Sequence, residues 1–170
     1  MKRFMIIVAS IGIILLLSAF TLGQTFPRSY HHLLTSTTNL GEENIDGLSL
    51  NDDFYSGKIS EKYGKEIEKS RDVENYDYFG LTNGIEVAVD KKGKITRFII
   101  TDRGLETAKG IKIGDTKEDI IKAYGDNYYF RIEQGANIIG YVDKERERSL
   151  EFWLFDNEVN LYRLDNNLMQ

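Results

Sequence analysis

The chain has 170 residues and carries 22 basic against 27 acidic residues, a net charge of −5. It contains no cysteine, which excludes disulfides, thiol catalysis, thiolate metal sites and a lipid-modified cysteine. Beyond residue 23 the basic count falls to 20 while all 27 acidic residues remain, so this part is more acidic still. Because nucleic-acid binding needs a basic face, we expect no nucleic-acid partner.

The amino terminus has a membrane-targeting pattern. Lys2 and Arg3 precede the uncharged apolar run Phe4 to Leu22. Basic residues before such a run keep the amino terminus in the cytoplasm. The run therefore predicts an uncleaved signal anchor or transmembrane helix over residues 1–23, with the C-terminal domain outside the cytoplasm. The alternative is a cleaved signal peptide and a secreted protein.

Residues 24–44 predict a linker between membrane and domain. They include the only proline, Pro27, and a polar run with little periodicity. His31 and His32 are the only histidines. Adjacent side chains of an extended segment point in opposite directions, so we favour a solvated linker over a metal site.

A helix signature dominates the remaining chain. In the stretch Gly110–Gly125, Asp115 or Thr116 can accept hydrogen bonds from the first helical turn, and Glu118 or Asp119 can reach back to the cap. The closing glycine is free to adopt the left-handed conformation that ends helices. We predict a capped helix here.

A weaker copy of this signature lies earlier in the chain. Gly47–Asp52 matches the start of the motif and Ile59–Gly64 matches its end, at offsets of 63 and 61 residues. Gly57 falls within this copy, and glycine destabilises a helix interior. We expect the first helix to be the less stable one.

Alternating apolar residues after each helix signature predict antiparallel strands. Ile85–Val89 in the first copy corresponds to Leu150–Phe155 in the second at an offset of 65 residues. We therefore predict an α+β fold of two tandem helix-plus-antiparallel-meander repeats, residues 45–107 and 108–165, followed by a tail over 166–170. The helices are expected on one face of a joint sheet, or of two small sheets packed edge to edge.

The order Gly-Ile-x-Ile-Gly-Asp-Thr-x-x-Asp-Ile-x-x-x-Tyr-Gly, followed by hairpins, resembles the beta-lactamase-inhibitor-protein-like fold shared with the SmpA/OmlA lipoproteins. The resemblance covers residues 45–165. It implies an extracytoplasmic module that binds another protein across an exposed sheet, without chemistry of its own. Those proteins use cysteines for disulfides or a lipid anchor, and this chain has none, so the specific roles of those proteins are not carried over.

Catalytic residue types are scarce. The acidic residues Asp52, Asp53, Asp115, Glu118 and Asp119 are explained by helix starts, where the helix dipole favours negative charge. We therefore predict no catalytic residue, no metal and no cofactor. The alternative is an extracytoplasmic hydrolase that uses paired carboxylates in a concave pocket, with one pKa raised.

Aromatic residues are abundant on the predicted strands. If Leu150, Phe152 and Leu154 face the core, Trp153 and Phe155 face outward. An outward tryptophan is typical of a protein-binding hot spot, unless another part of the chain covers it. We predict a membrane-tethered protein-binding module with an inhibitor, immunity or envelope-assembly role, whose partner is another envelope or secreted protein. The predicted contact residues are Trp153, Phe155, Tyr141 and Tyr162.

Overall fold

A computed structural model describes residues 27–166. The predicted membrane segment over residues 4–22 lies outside this range. Within the described range no helix is long and apolar enough to cross a membrane. The chain divides into two compact units between Leu34 and Thr35.

Three short helices and eight strands make up the described chain. The helices are α1 (Arg28–Leu34) in the first unit, and α2 (Gly57–Tyr63) and α3 (Lys117–Tyr124) in the second. The first four strands are β1 (Lys69–Val73), β2 (Tyr76–Thr82), β3 (Ile85–Asp90) and β4 (Ile95–Ile100). The last four are β5 (Tyr129–Glu133), β6 (Ala136–Asp143), β7 (Arg148–Phe155) and β8 (Glu158–Asn166).

All eight strands belong to one sheet of order β1-β2-β3-β4-β8-β7-β6-β5. Every neighbouring pair is antiparallel. At the centre, β4 pairs with β8 through Arg97 opposite Asp165 and Ile100 opposite Tyr162. The sheet has two edges in the described chain, β1 and β5.

The predicted fold class is wrong. Residues 45–165 do not form two helix-plus-meander repeats. The described chain forms one eight-stranded antiparallel sheet with short helices. The prediction assigned a separate repeat to each helix signature, but the two helices, of seven and eight residues, pack against one apolar core on a single sheet. The pairing of β4 with β8 satisfies backbone groups that two separate meanders would leave unpaired, which favours a single sheet.

The second helix signature has the predicted local chemistry. Thr116 accepts a hydrogen bond from the backbone N–H of Asp119, and the Asp119 carboxylate accepts one from the backbone N–H of Thr116. Gly125 ends α3 with φ 86°. In α2 the cap residue is Ser56, and its side chain makes no capping hydrogen bond.

One face of the sheet carries the main apolar core. Ile59 of α2 and Ile120 and Tyr124 of α3 pack into it beside Phe98 and Phe152 of the sheet. Burying a side chain of this size contributes about 1.5–3 kcal/mol. We call this the helix face, and the opposite face the polar face.

The segment from Thr35 onward, the end of the predicted linker, belongs to the compact unit of the sheet. The Thr38 N–H donates to the Val142 carbonyl at 2.8 Å, and the Asp143 carboxylate accepts the Leu40 N–H at 2.9 Å. Leu40 is fully buried.

Candidate functional site

The four predicted contact residues do not lie together. Tyr141 and Tyr162 are fully buried in the core of the helix face. Trp153 belongs instead to a small apolar cluster with Ile138 and is 9% exposed, while Phe155, two residues further along β7, is 43% exposed. Burial of the two tyrosines leaves Trp153 and Phe155 as the predicted residues that can contribute to a surface.

Trp153 lies on the polar face, beside charged residues from several strands. The register explains the arrangement, because residues opposite each other in neighbouring strands share a face. Arg97 lies opposite Asp165, and Glu151 lies opposite Arg163. Acidic and basic side chains therefore alternate across the middle of the sheet.

Asp165 is the first of two buried carboxylates on this face, with 0% of its surface exposed. Arg97 binds it in a bidentate manner, with Nε 2.6 Å from Oδ1 and Nη2 3.1 Å from Oδ2. The third side-chain nitrogen of Arg97, Nη1, donates to the Tyr78 hydroxyl at 3.1 Å. Arg163 Nε lies 3.1 Å from Asp165 Oδ2.

Glu151 is the second buried carboxylate, also at 0% exposure. Arg163 Nη2 donates to its Oε2 at 2.5 Å, and the Tyr129 hydroxyl donates to its Oε1 at 2.5 Å. Arg131 donates to both oxygens, each at 3.1 Å, and a further nitrogen of this guanidinium binds Glu133. We call the charged residues Arg97, Asp165, Arg163, Glu151, Arg131 and Glu133 the arginine–carboxylate network.

Burial and charge act in opposite directions on this network. For Arg131, burial lowers the pKa, but the hydrogen bonds and charges of Glu151 and Glu133 outweigh it, so its pKa lies above the usual value. A buried ion pair adds little net stability over an apolar replacement, whereas removal of one partner costs about 3–5 kcal/mol. The network therefore contributes little net stability. Its hydrogen bonds hold the guanidinium groups in fixed orientations.

Aromatic rings sit against these guanidinium groups. The Arg131 and Arg163 guanidinium carbons lie 5.6 and 5.4 Å from the centre of the Trp153 ring. The Trp153 indole Nε1–H is buried and meets no acceptor among the described residues. On β2, the ring of Tyr78 has the Arg71 guanidinium 4.1 Å from its centre. Tryptophan, tyrosine and arginine are the residue types most enriched at binding hot spots.

The carboxylates of the network are occupied by donors. Arg163 bridges Glu151 and Asp165, so each carboxylate is held by at least two arginines. Glu43, on the segment before α2, lies outside this network; burial raises its pKa, and its carboxylate accepts a hydrogen bond from Tyr124. No group of three or more metal-ligating side chains is placed to hold a metal ion in residues 27–166.

Sequence reasoning missed the network. Its signal was present, because Arg97, Arg131, Glu151, Arg163 and Asp165 each interrupt a strand that is otherwise mainly apolar. A charge in such a strand points away from the core and toward other charges at cross-strand positions. The missing information was the strand order, which decides that β4 and β7 both flank β8.

No protein-family model matches the sequence, and no curated protein matches it. Among solved structures, the chain is similar to an extracellular protein containing an SCP domain from Bacillus anthracis str. Ames, at 11% identity and a TM-score of 0.50. The match covers 78% of this chain and 49% of the other, so this chain spans about half of that protein. At this identity the match shows a shared fold.

The chain is also similar to a DUF4309-family protein from Bacillus subtilis subsp. subtilis, at 19% identity and a TM-score of 0.47. That match covers 71% of this chain and 83% of the other. Neither neighbour is described as a beta-lactamase-inhibitor-like or SmpA/OmlA-like protein, so that resemblance stays a prediction.

Proposed function

We propose that this protein is a non-catalytic binding module of the cell envelope that contacts a partner protein through the polar face of its sheet. The observation that carries the proposal is the setting of Trp153. Two guanidinium groups lie 5.6 and 5.4 Å from the centre of its ring, and its buried indole N–H lacks an acceptor among the described residues. A partner carbonyl that reaches this N–H, once the side chains that cover it shift on binding, would satisfy the donor and recover the free energy that an unpaired buried group costs, about 1–3 kcal/mol.

The rigidity of the network also supports binding. Each ordered arginine already has its rotamer fixed by a carboxylate, so association need not immobilise it again. An unrestrained side chain of this kind loses about 0.5–1.5 kcal/mol on binding. At the end of β7, Phe155 supplies exposed apolar surface two residues from Trp153.

The proposed location is the outer side of the cytoplasmic membrane, with residues 4–22 as the anchor. The charge distribution of the amino terminus supports this orientation. The neighbour of known structure with an SCP domain is described as extracellular, which is consistent with it. The partner is proposed to be another envelope or secreted protein.

The test is affinity capture with matched variants. The full-length tagged chain, the Trp153→Ala variant and the Tyr55→Ala variant are expressed in the native cells, solubilised from membranes and isolated with their bound proteins. Tyr55 is a suitable control because it is an exposed aromatic residue, 71% accessible, in the loop before α2. Thermal unfolding of each variant checks that the fold is retained.

We expect one protein to be recovered stoichiometrically with the native chain and with Tyr55→Ala. With Trp153→Ala its affinity should fall about thirtyfold, the equivalent of a hot spot of about 2 kcal/mol. Equal recovery with a folded Trp153→Ala variant would contradict the proposed surface. Trp153→Phe separates the two contributions, because it retains an aromatic ring but lacks the N–H donor.

A further inference from the structure

The two edges of the sheet differ in how they are protected against pairing with another strand. Natural proteins protect an edge with charged side chains, bulges or a cover, because an edge exposes unpaired backbone N–H and C=O groups. β1 has this protection: its register against β2 shifts between Lys69 and Arg71, and its sequence Lys-Ser-Arg-Asp-Val is mostly charged.

The other edge, β5, has no bulge, and its two charged residues, Arg131 and Glu133, share the polar face. Its register against β6 runs without a shift from Tyr129 to Glu133. Two large apolar side chains project from the helix-face side of this edge, Phe130 at 43% and Ile132 at 41% exposure. Their position on that side follows from pairing, since Phe130 lies opposite Ile139 of the main core.

The turn that follows β5 shows which backbone groups of this strand point away from β6. Gln134 and Gly135, with φ of 51° and 81°, form a two-residue turn between Glu133 and Ala136. The residues that flank such a turn form a hydrogen-bonded pair, and hydrogen-bonded and non-hydrogen-bonded pairs then alternate along the strands. The N–H and C=O groups of Phe130 and Ile132 therefore point away from β6, toward the edge.

We propose that β5 pairs with β5 of a second copy of this chain, antiparallel and with the two-fold axis at Ile132. This register places Arg131 opposite Glu133 of the second copy, twice by symmetry, so opposite charges meet on the polar face. An axis at Arg131 would instead place two arginines opposite each other, which is unfavourable. The charges of β5 are thus complementary to themselves in one register.

The pairing joins two sheets into one of sixteen strands. Ile132 meets its own counterpart on the helix-face side, and Phe130 extends the buried apolar strip. Because β5 has only five residues, the pairing buries less surface than the roughly 1,200 Å² of a stable interface. We therefore expect a weak dimer whose population depends on concentration. Anchoring in a membrane raises the local concentration and favours such a contact.

The absence of cysteine from the chain allows a direct test by single-cysteine crosslinking. Full-length Ile132→Cys, Phe130→Cys and Val73→Cys variants are oxidised in membranes, and disulfide-linked dimers are quantified. At the two-fold axis the Cα atoms of a hydrogen-bonded pair lie about 5.5 Å apart, within the range that a disulfide spans. Val73 is the matched control, since it is an apolar residue of the other edge strand with 47% exposure.

The expected result is that Ile132→Cys forms dimers at least tenfold faster than either other variant. Phe130 and its counterpart would be separated by four residues along the strand, about 13 Å, which is too far for a disulfide. A rate for Ile132→Cys no higher than that of Val73→Cys would overturn the proposal. Fastest crosslinking at Phe130→Cys would overturn the register.

A non-covalent measurement uses the same positions. Ile132→Lys is expected to weaken self-association of the detergent-solubilised full chain at least tenfold in analytical ultracentrifugation, because it places two ammonium groups at the axis. Val73→Lys should leave it unchanged. A chain that is monomeric at all concentrations, or a dimer indifferent to Ile132→Lys, would overturn the proposal. Partner binding by the polar face does not depend on either result.

Discussion

At the residue scale, the buried carboxyl group of Glu43 has the most unusual surroundings. Glu43 is 3% exposed. The Tyr124 hydroxyl donates to its Oε1 at 2.7 Å, and the Ala108 N–H donates to its Oε2 at 3.0 Å. Burial raises the pKa of Glu43 above its ordinary value of 4.5, and these two hydrogen bonds and the nearby charges of Lys109 and Arg148 oppose the rise without cancelling it.

The Glu43→Gln variant should therefore change the pH dependence of stability. A raised pKa means that the contribution of Glu43 is complete below about pH 4.5 and is lost as the pH rises through the folded-state pKa. Glutamine keeps the size of the side chain and carries no charge. We expect Glu43→Gln to gain stability relative to the native chain as the pH increases from 4 to 8, measured as the urea midpoint.

Glu118→Gln is the matched control for that measurement. Asn157 donates to the Glu118 carboxylate at 3.0 Å, and this bond is the main cause of a lowered pKa. The stabilising contribution of Glu118 is thus present above its ordinary pKa and is lost as the pH falls. The two variants should show opposite trends with pH. Parallel trends would contradict the assigned environment of Glu43.

Gly140 supports the polar network by its lack of a side chain. A Cβ atom at this position would overlap the ring of Tyr129, whose hydroxyl holds Glu151. Gly140→Ala should destabilise the protein by about 1–3 kcal/mol, as overpacking does, in chemical denaturation. Gly80→Ala is the control in β2, because nothing lies within 4 Å of a Cβ there, and we expect little change. Equal effects of the two substitutions would contradict the close packing of Tyr129.

At the element scale, the two helices of the sheet unit differ in how their first turns are capped. Thr116 of α3 accepts the Asp119 N–H, whereas the Ser56 side chain at α2 makes no such bond. Thr116→Ala should cost about 1 kcal/mol of unfolding free energy, since that is the typical loss of a cap. Ser56→Ala should cost distinctly less in the same urea titration. A larger loss at Ser56 would contradict the capping assignment.

The same comparison shows what the sequence could predict at this scale. Capping depends on residues three positions apart, so the box of Thr116 and Asp119 and the stop at Gly125 were readable from local chemistry. This cap and this stop bound the eight residues of α3. The pairing of the strands that follow each helix was not readable, because β4 pairs with β8 across a long stretch of sequence.

At the scale of the whole molecule, the pairing of β4 with β8 decides the architecture. Alternation within β7 was readable from sequence, and Phe152 and Trp153 do lie in different apolar clusters. The strand order was not readable, since it depends on contacts between residues far apart in sequence, such as Arg97 and Asp165. For that reason the two fully buried tyrosines, Tyr141 and Tyr162, were expected at the contact surface.

A substitution of Asp165 tests how much its buried ion pairs with Arg97 of β4 and Arg163 of β8 contribute to stability. Asp165→Asn removes the carboxylate that Arg97 binds and one of the two carboxylates that Arg163 binds, and we expect a loss of about 3–5 kcal/mol in unfolding free energy. Asp72→Asn removes an ion pair with Lys69 at 3.0 Å, where the Asp72 side chain is 67% exposed. Exposed pairs contribute about 0–1 kcal/mol, so this control should hardly change the denaturant midpoint. Similar losses for both variants would contradict the buried role of the network.

The central claim is that the polar face around Trp153 binds a partner protein, and the indole N–H resonance of Trp153 tests it most directly. Trp153 is the only tryptophan of the chain, so a ¹⁵N-labelled protein gives a single indole signal. The account predicts that this signal shifts when the labelled chain enters the captured complex, because the N–H gains an acceptor. A signal unchanged between the free chain and the stoichiometric complex would contradict it.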